Sequence, residues 1–180
     1  MNVMKRITFT LIAFFAFFVF ISPLCTYAAK VTSGSLNCLK GENYLAVSLD
    51  CSKAKYKKTR PLEEFLWKAP RIENWEQESL KCFIEVFNEN TYQPKAFNRS
   101  ENKGRFELII IPLNINGSGG INAIANLVNI KTGNIEATID FSAEGDDDDT
   151  IALRDPMKEA GEQIGKLISK AYKKWIYQKP

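Results

Sequence analysis

The chain has no histidine. That absence removes Ser-His and Cys-His nucleophilic pairs and every imidazole metal site. Nor is there an excess of one charge. Setting aside Lys5 and Arg6 of the N-terminal segment leaves 22 of the 24 basic residues against 21 acidic ones, a net of +1. Nucleic-acid binding wants a basic stripe, so that class is excluded. Cysteine is scarce and odd in number. Cys25 falls in the N-terminal segment, and Cys38, Cys51 and Cys82 remain, which forbids a complete disulfide set in an exported protein. Either one pair forms and one thiol is left, or all three are small buried apolar residues. The Gly-rich turn at Gly117-Ser118-Gly119-Gly120 is not followed by Gly-Lys-Ser/Thr or by helical text, so a phosphate loop is excluded as well.

Only one long hydrophobic run is present, from Ile7 to Leu24. It follows a basic start at Lys5-Arg6 and precedes the small residues Thr26-Tyr27-Ala28-Ala29, the layout of a secretory signal peptide. Thr26 and Ala28 suit the positions three and one before the cut, so cleavage is expected after Ala28, with Ala29 as second choice. The rival is a retained anchor, because the run could just span a bilayer. Pro23 and the small-residue exit favour cleavage. A lipid-modified Cys25 lacks the small neighbour that such a site requires. Residues 1–28 are therefore expected to leave, and 29–180 to form one domain with no stable membrane span. The expected location is periplasmic or extracellular, peripheral to the envelope.

That domain alternates strand and helix text. Val31 to Lys40 reads as a strand, Gly41-Glu42-Asn43 as a turn, and Tyr44 to Cys51 as a second strand with Leu45, Val47, Leu49 and Cys51 on one side. In this hairpin Cys38 faces Leu45. Lys53, Lys55, Lys57, Lys58 and Arg60 form a basic run, read as a solvated connection. A short helix is expected over 62–68 and a long one over 73–88, whose Trp75, Ser79, Cys82, Phe83 and Val86 recur at helical spacing. Residues 89–103 read as surface connection. Phe106 to Ile115 is apolar on both faces, with Pro112 implying a bulge or edge. Ile121 to Ile130 and Ile135 to Ala143 form a hairpin turned at Gly133. In its second strand Ile135, Ala137, Ile139, Phe141 and Ala143 face the core, while Glu136, Thr138 and Asp140 face water. Asp155 as N-cap and Pro156 as first residue open the last helix. Its stripe from Met157 to Trp175 includes Ala160 and Gly161, expected to let it approach the sheet. Lys166, Lys170, Lys173 and Lys174 gather toward its C-terminal end, where the helix dipole favours cations. The expected fold class is α+β: a mixed, mostly antiparallel sheet with two long helices packed on one face.

Charge is densest at Asp146-Asp147-Asp148-Asp149. Adjacent carboxylates repel by about 1 kcal/mol per pair at 4 Å even in water, so the loop must be solvated or neutralised. A solvated loop, calcium at Asp146, Asp147, Asp148 and Asp149, and a basic partner patch are the three readings. The run lacks the alternating Asp-x-Asp-x-Asp-Gly of an EF-hand, and adjacent residues on an extended chain point apart. A carboxylate-dependent hydrolase remains compatible with the missing histidine. Glu136 and Asp140, however, stand about 13 Å apart along one strand, too far for a retaining pair.

Val47-Ser48-Leu49-Asp50, Phe65-Leu66, Phe106-Glu107-Leu108-Ile109-Ile110, the hairpin around Val128 to Ile135 and the closing helix together resemble small exported proteins of Bacteroides-type bacteria. The element order from Trp75 to Lys174 is similar, more distantly, to the α/β domain of curli-secretion and penicillin-binding-protein-activator lipoproteins. The chain departs from those at the lipobox, which it lacks. The resemblance implies an envelope role through protein contacts and carries over no catalytic residue. The sequence thus leads to a non-enzymatic envelope domain that binds a protein partner or an envelope polymer, with Glu136, Thr138 and Asp140 as contact surface. No catalytic residue and no cofactor beyond calcium are expected.

Overall fold

A computed structural model describes residues 28–66, 74–101, 103–145 and 153–177. The leader and the aspartate run lie outside these residues. In chain order the elements are β1 (Lys30–Gly34), a 3-10 turn (Leu36–Leu39), β2 (Tyr44–Leu49), β3 (Lys55–Tyr56), β4 (Arg60–Pro61), α1 (Leu62–Leu66) and α2 (Trp75–Asn90). There follow β5 (Lys95–Asn98), β6 (Phe106–Ile115), β7 (Ile121–Asn129), β8 (Ile135–Ala143) and α3 (Arg154–Tyr177). The strands form one mixed sheet in the order β1-β8-β7-β6-β2-β5, with β3 continuing the line of β2 along the far end of β6. Pairing is antiparallel from β1 to β6 and parallel across β6, β2 and β5. The α+β class and the two long helices match the expectation.

Cross-strand register explains which residues are buried. Leu108, Leu127 and Ala137 stand opposite one another, as do Ile110, Ala125 and Ile139, so all six point to one face. That face shares a core with Phe83 and Phe87 of α2 and Met157, Ala160, Ile164 and Ile168 of α3. Each large side chain removed from water there contributes roughly 2 kcal/mol. β6 is buried on both faces only over Ile110, Ile111 and Pro112, and its register shifts between Pro112 and Asn114, the bulge that the proline demands.

Gly161 does not serve the sheet, as expected from its stripe; it serves the other helix. A Cβ there would lie 2.6 Å from the Phe83 carbonyl oxygen and 3.1 Å from the Phe87 nitrogen. Gly165 meets α2 again, 3.1 Å from the Phe87 carbonyl oxygen. The two helices therefore touch backbone to backbone. The start of α3 also differs, by two residues. Leu153 turns the chain with φ 61 and is buried, α3 begins at Arg154, and Asp155 sits inside the first turn paired with Lys158 at 2.9 Å.

Three further differences have local causes. β1 ends early because Gly34 adopts φ 70 and Ser35 accepts the Asn37 N–H through its hydroxyl, starting the 3-10 turn. Freed from β2, β1 pairs with β8 instead, so Cys38 never faces Leu45. The stretch 89–103 contains a strand, β5, lying parallel to β2. Its Lys95 N–H donates to Asn43 on the β2 side, so the polar groups of Ala96 face outward. Both are taken by the Asn88 carboxamide, which donates to the Ala96 carbonyl at 3.0 Å and accepts its N–H at 2.7 Å. Finally, Ile135 is exposed rather than buried. Leu127 pairs with Ala137 but Val128 pairs with Ile135, so a bulge at Glu136 flips the alternation.

Candidate functional site: the uncovered face of the sheet

Opposite the helices, the sheet carries a second face built by the same alternation. One row crosses five strands as Ser33, Thr138, Asn126, Ile109 and Ser48. The next runs Lys30, Asp140, Ile124 and Ile111. Ala46 and Ile111 are buried on this side yet belong to no part of the helix-side core, and Ile109, Ile124 and Val128 do not pack against that core either. Hydroxyl, carboxamide and aliphatic groups alternate here at the inter-strand spacing of about 4.8 Å. Both long helices lie on the other side.

Of the three residues expected as a contact surface, register places Thr138 and Asp140 on this face, while Glu136 falls at the bulge without a cross-strand partner. Thr138 donates its hydroxyl to Asn126 Oδ1 at 3.0 Å, and exposed Asp140 accepts from the Thr32 hydroxyl at 3.2 Å. Glu136 is half-buried at the bulge, and its carbonyl accepts the Ser35 N–H at 3.0 Å. Neither carboxylate is bonded to the other, and Thr138 between them is spent on Asn126, so β8 shows no acid–base pair. Sequence reasoning missed Asn122 and Asn126, though the alternation Asn122, Ile124, Asn126, Val128 against Ile121, Ala123, Ala125, Leu127 would have shown them.

It also missed a polar cluster at the edge of the face. Glu107 accepts the Ser48 hydroxyl at 2.7 Å through one oxygen and Arg99 Nε at 3.2 Å through the other. Ser48 is brought to Glu107 by the parallel pairing of β2 with β6, and Arg99 comes from eight residues before Glu107, just after β5. The carboxylate has both oxygens engaged, which fits it for holding Arg99 in place. Nearby, the Ser52 hydroxyl and backbone N–H donate to Asp50 and hold its carboxyl below the ordinary range.

In the Gly117–Gly120 turn the donors of Ser118 and Gly120 are already spent. Asn116 Oδ1 accepts from the Ser118 N–H, the Ser118 hydroxyl and the Gly120 N–H. Asp146, Asp147, Asp148 and Asp149 lie outside the described residues, and among the described residues no group of three metal-binding side chains occurs. Their shoulders are described. Gly145 packs so closely on the Ser118–Gly120 backbone that a Cβ would approach to 2.4 Å, and the Glu144 N–H donates to Glu159 of α3 at 2.6 Å.

All three described cysteines are free and half-buried. Burial, followed by the negative charge of Glu76 and Asp50, pushes the Cys51 thiol up to about 12. Burial and Glu136 push Cys38 up to about 11, and burial raises Cys82. Thiolate is the reactive form, so iodoacetamide at pH 8 is expected to modify folded Cys51 at least ~100-fold more slowly than a free thiol. Full reactivity should return in guanidinium, and rapid labelling of the folded chain would contradict this environment. Because the folded pKa lies above the unfolded value of 9.0, the associated stability is intact below pH 9 and is lost as pH climbs through about 12. Cys51→Ala should lessen that alkaline loss in pH-dependent melts.

No protein-family model matches the chain, and no curated protein matches it in sequence. Among solved structures it is similar to a PelC dodecamer from Paraburkholderia phytofirmans, with 9% identity over 78% of this chain and 95% of that one, at a TM-score of 0.45. A second crystal form of PelC gives 11% identity, 75% and 96% coverage and a TM-score of 0.43. A Xanthomonas campestris protein of the family DUF330 gives 15% identity, 85% and 99% coverage and a TM-score of 0.39. These are distant resemblances of fold. They lend no support to the Bacteroides-type family or the curli-secretion and penicillin-binding-protein-activator lipoproteins that the sequence resembles. No helix among the described residues is long and apolar enough to cross a membrane.

Proposed function

We propose that the chain is an exported, non-enzymatic domain of the cell envelope whose uncovered sheet face binds a protein partner or an envelope polymer. The observation that carries this reading is the face itself: rows of Thr138 with Asn126 and of Asp140 with Ile124, lying across the strands. A flat field of hydroxyls, carboxamides and aliphatic groups suits an extended contact. The basic, apolar, small-residue start of the chain supports export.

Site-directed photocrosslinking tests the proposal. A crosslinker placed at Asn122 or Asp140, both exposed on this face, is expected to capture a partner from envelope preparations, whether as a discrete protein adduct or as a polydisperse polymer adduct. The same crosslinker at Lys81 or Glu85, exposed on α2, is expected to capture none. Equal capture from both sides, or none from either, overturns the reading.

A further inference from the structure

At the meeting of the helix ends, Asn90 of α2 and Lys166, Ser169, Lys170 and Lys173 of α3 line a hollow of about 300 Å³. The acidic residues of α3, Asp155, Glu159 and Glu162, all lie in its first half, alongside Arg154 and Lys158, whereas its second half carries only basic charges, Lys166, Lys170, Lys173 and Lys174. Lys166 pairs with Glu162, but Lys170, Lys173 and Lys174 have no ion-pair partner among the described residues. The helix dipole favours cations only within the last turn, so it accounts for Lys174 and not for Lys166 or Lys170. Nor do the lysines cap α2, because Lys95 already donates to the Asn88 and Thr91 carbonyls at that end. Beside the hollow, exposed Tyr92 packs on Tyr172 with ring centroids 6.1 Å apart, and Tyr172 is fixed by its hydroxyl donating to Gln93 at 2.8 Å.

We infer that this hollow binds an acidic polysaccharide, one bearing carboxylate or sulfate groups on its sugar rings. The unpaired ammonium groups meet the anionic substituents. Ser169 supplies a hydroxyl, Asn90, whose Nδ2 donates to the Val86 carbonyl at 2.8 Å, offers its carboxamide oxygen to sugar hydroxyls, and the Tyr92 ring offers an aromatic face to a pyranose. The lining is open to solvent and more apolar than polar, because lysine stems run along it below their charged heads, a surface that suits sugar ring faces flanked by acidic substituents. A neighbouring hollow of about 490 Å³ shares Lys166 and Lys170 but has Glu159 and Glu162 in its wall, which repel such a ligand. The site lies on the helix layer, away from the uncovered sheet face, and stands or falls independently of the function proposed for that face.

The probe is soluble polygalacturonate, titrated against the full chain in nonionic detergent. Wild-type protein is expected to bind it with an affinity that falls with salt, and to ignore neutral dextran. The triple variant Lys170→Gln, Lys173→Gln, Lys174→Gln should lose about tenfold or more in affinity, and Tyr92→Ala several-fold, each with an unchanged melting temperature. A control triple, Lys53→Gln, Lys57→Gln, Lys58→Gln, should bind as wild type. An equal loss in the control means that the attraction is not localised and overturns the proposal. So does an absence of polygalacturonate binding, including the case in which phosphatidylglycerol vesicles depend on Lys170, Lys173 and Lys174 instead.

Discussion

Phe83→Ala is expected to destabilise the folded chain by about 4 kcal/mol, which for a domain of this size lowers the melting temperature by about 12 °C. Phe83 is fully buried on α2, and its ring stacks with that of Phe87 at 5.7 Å and 26°. The cost of removing a large side chain depends on how far the surroundings relax into the space left. Relaxation is limited here. The Phe83 carbonyl already sits where a Cβ on Gly161 would be, at 2.6 Å, so α2 and α3 have no distance left to close. The cavity should therefore persist, and the loss should fall in the upper half of the usual range. Urea titration of both proteins measures it. A loss below about 2 kcal/mol would mean that the helix pair relaxes as a soft layer.

The second large effect comes from the opposite change at the same contact. Gly→Ala in an exposed helix interior normally stabilises by about 1 kcal/mol. At Gly161 the sign should reverse, because the new carbon meets backbone rather than a mobile side chain end. Gly161→Ala is expected to destabilise, and Gly161→Val to cost about 3 kcal/mol through forced separation of the helices. Differential scanning calorimetry of the two variants should show melting temperatures falling in the order glycine, alanine, valine. A stabilised Gly161→Ala would show the helices lying further apart than the backbone contact requires.

These two residues also mark the limit of what a single sequence yields. A helical stripe shows which side of α3 is buried, but not what it is buried against. Gly161 was assigned to the sheet for that reason, and the pairing of α2 with α3 was not legible. The β7–β8 hairpin was legible because alternation and Gly133 agree, and Pro112 forecast its own bulge. β5 was not, since Lys95-Ala96-Phe97-Asn98 has no alternation and is held by Asn88, a side chain contributed by the preceding helix. Thr138 and Asp140 followed from period-two patterning alone, whereas Glu136 falls at the bulge. The Ser48–Glu107–Arg99 cluster could not, because parallel pairing joins segments that no local pattern relates. At Ile135 the pattern misled, because a bulge one residue away resets which side is which.

The arrangement at β5 bears on how copies of this chain can assemble. Asn88 occupies the outward N–H and carbonyl of Ala96, so the middle of that margin is already paired with a side chain. At the opposite margin β1 bonds only to β8, and no described strand lies beyond it. A strand arriving at β5 must therefore displace the Asn88 carboxamide, whereas one arriving at β1 displaces no such side-chain clasp among the described residues. Two molecules meeting through β1 would carry the clasped β5 at their outer ends.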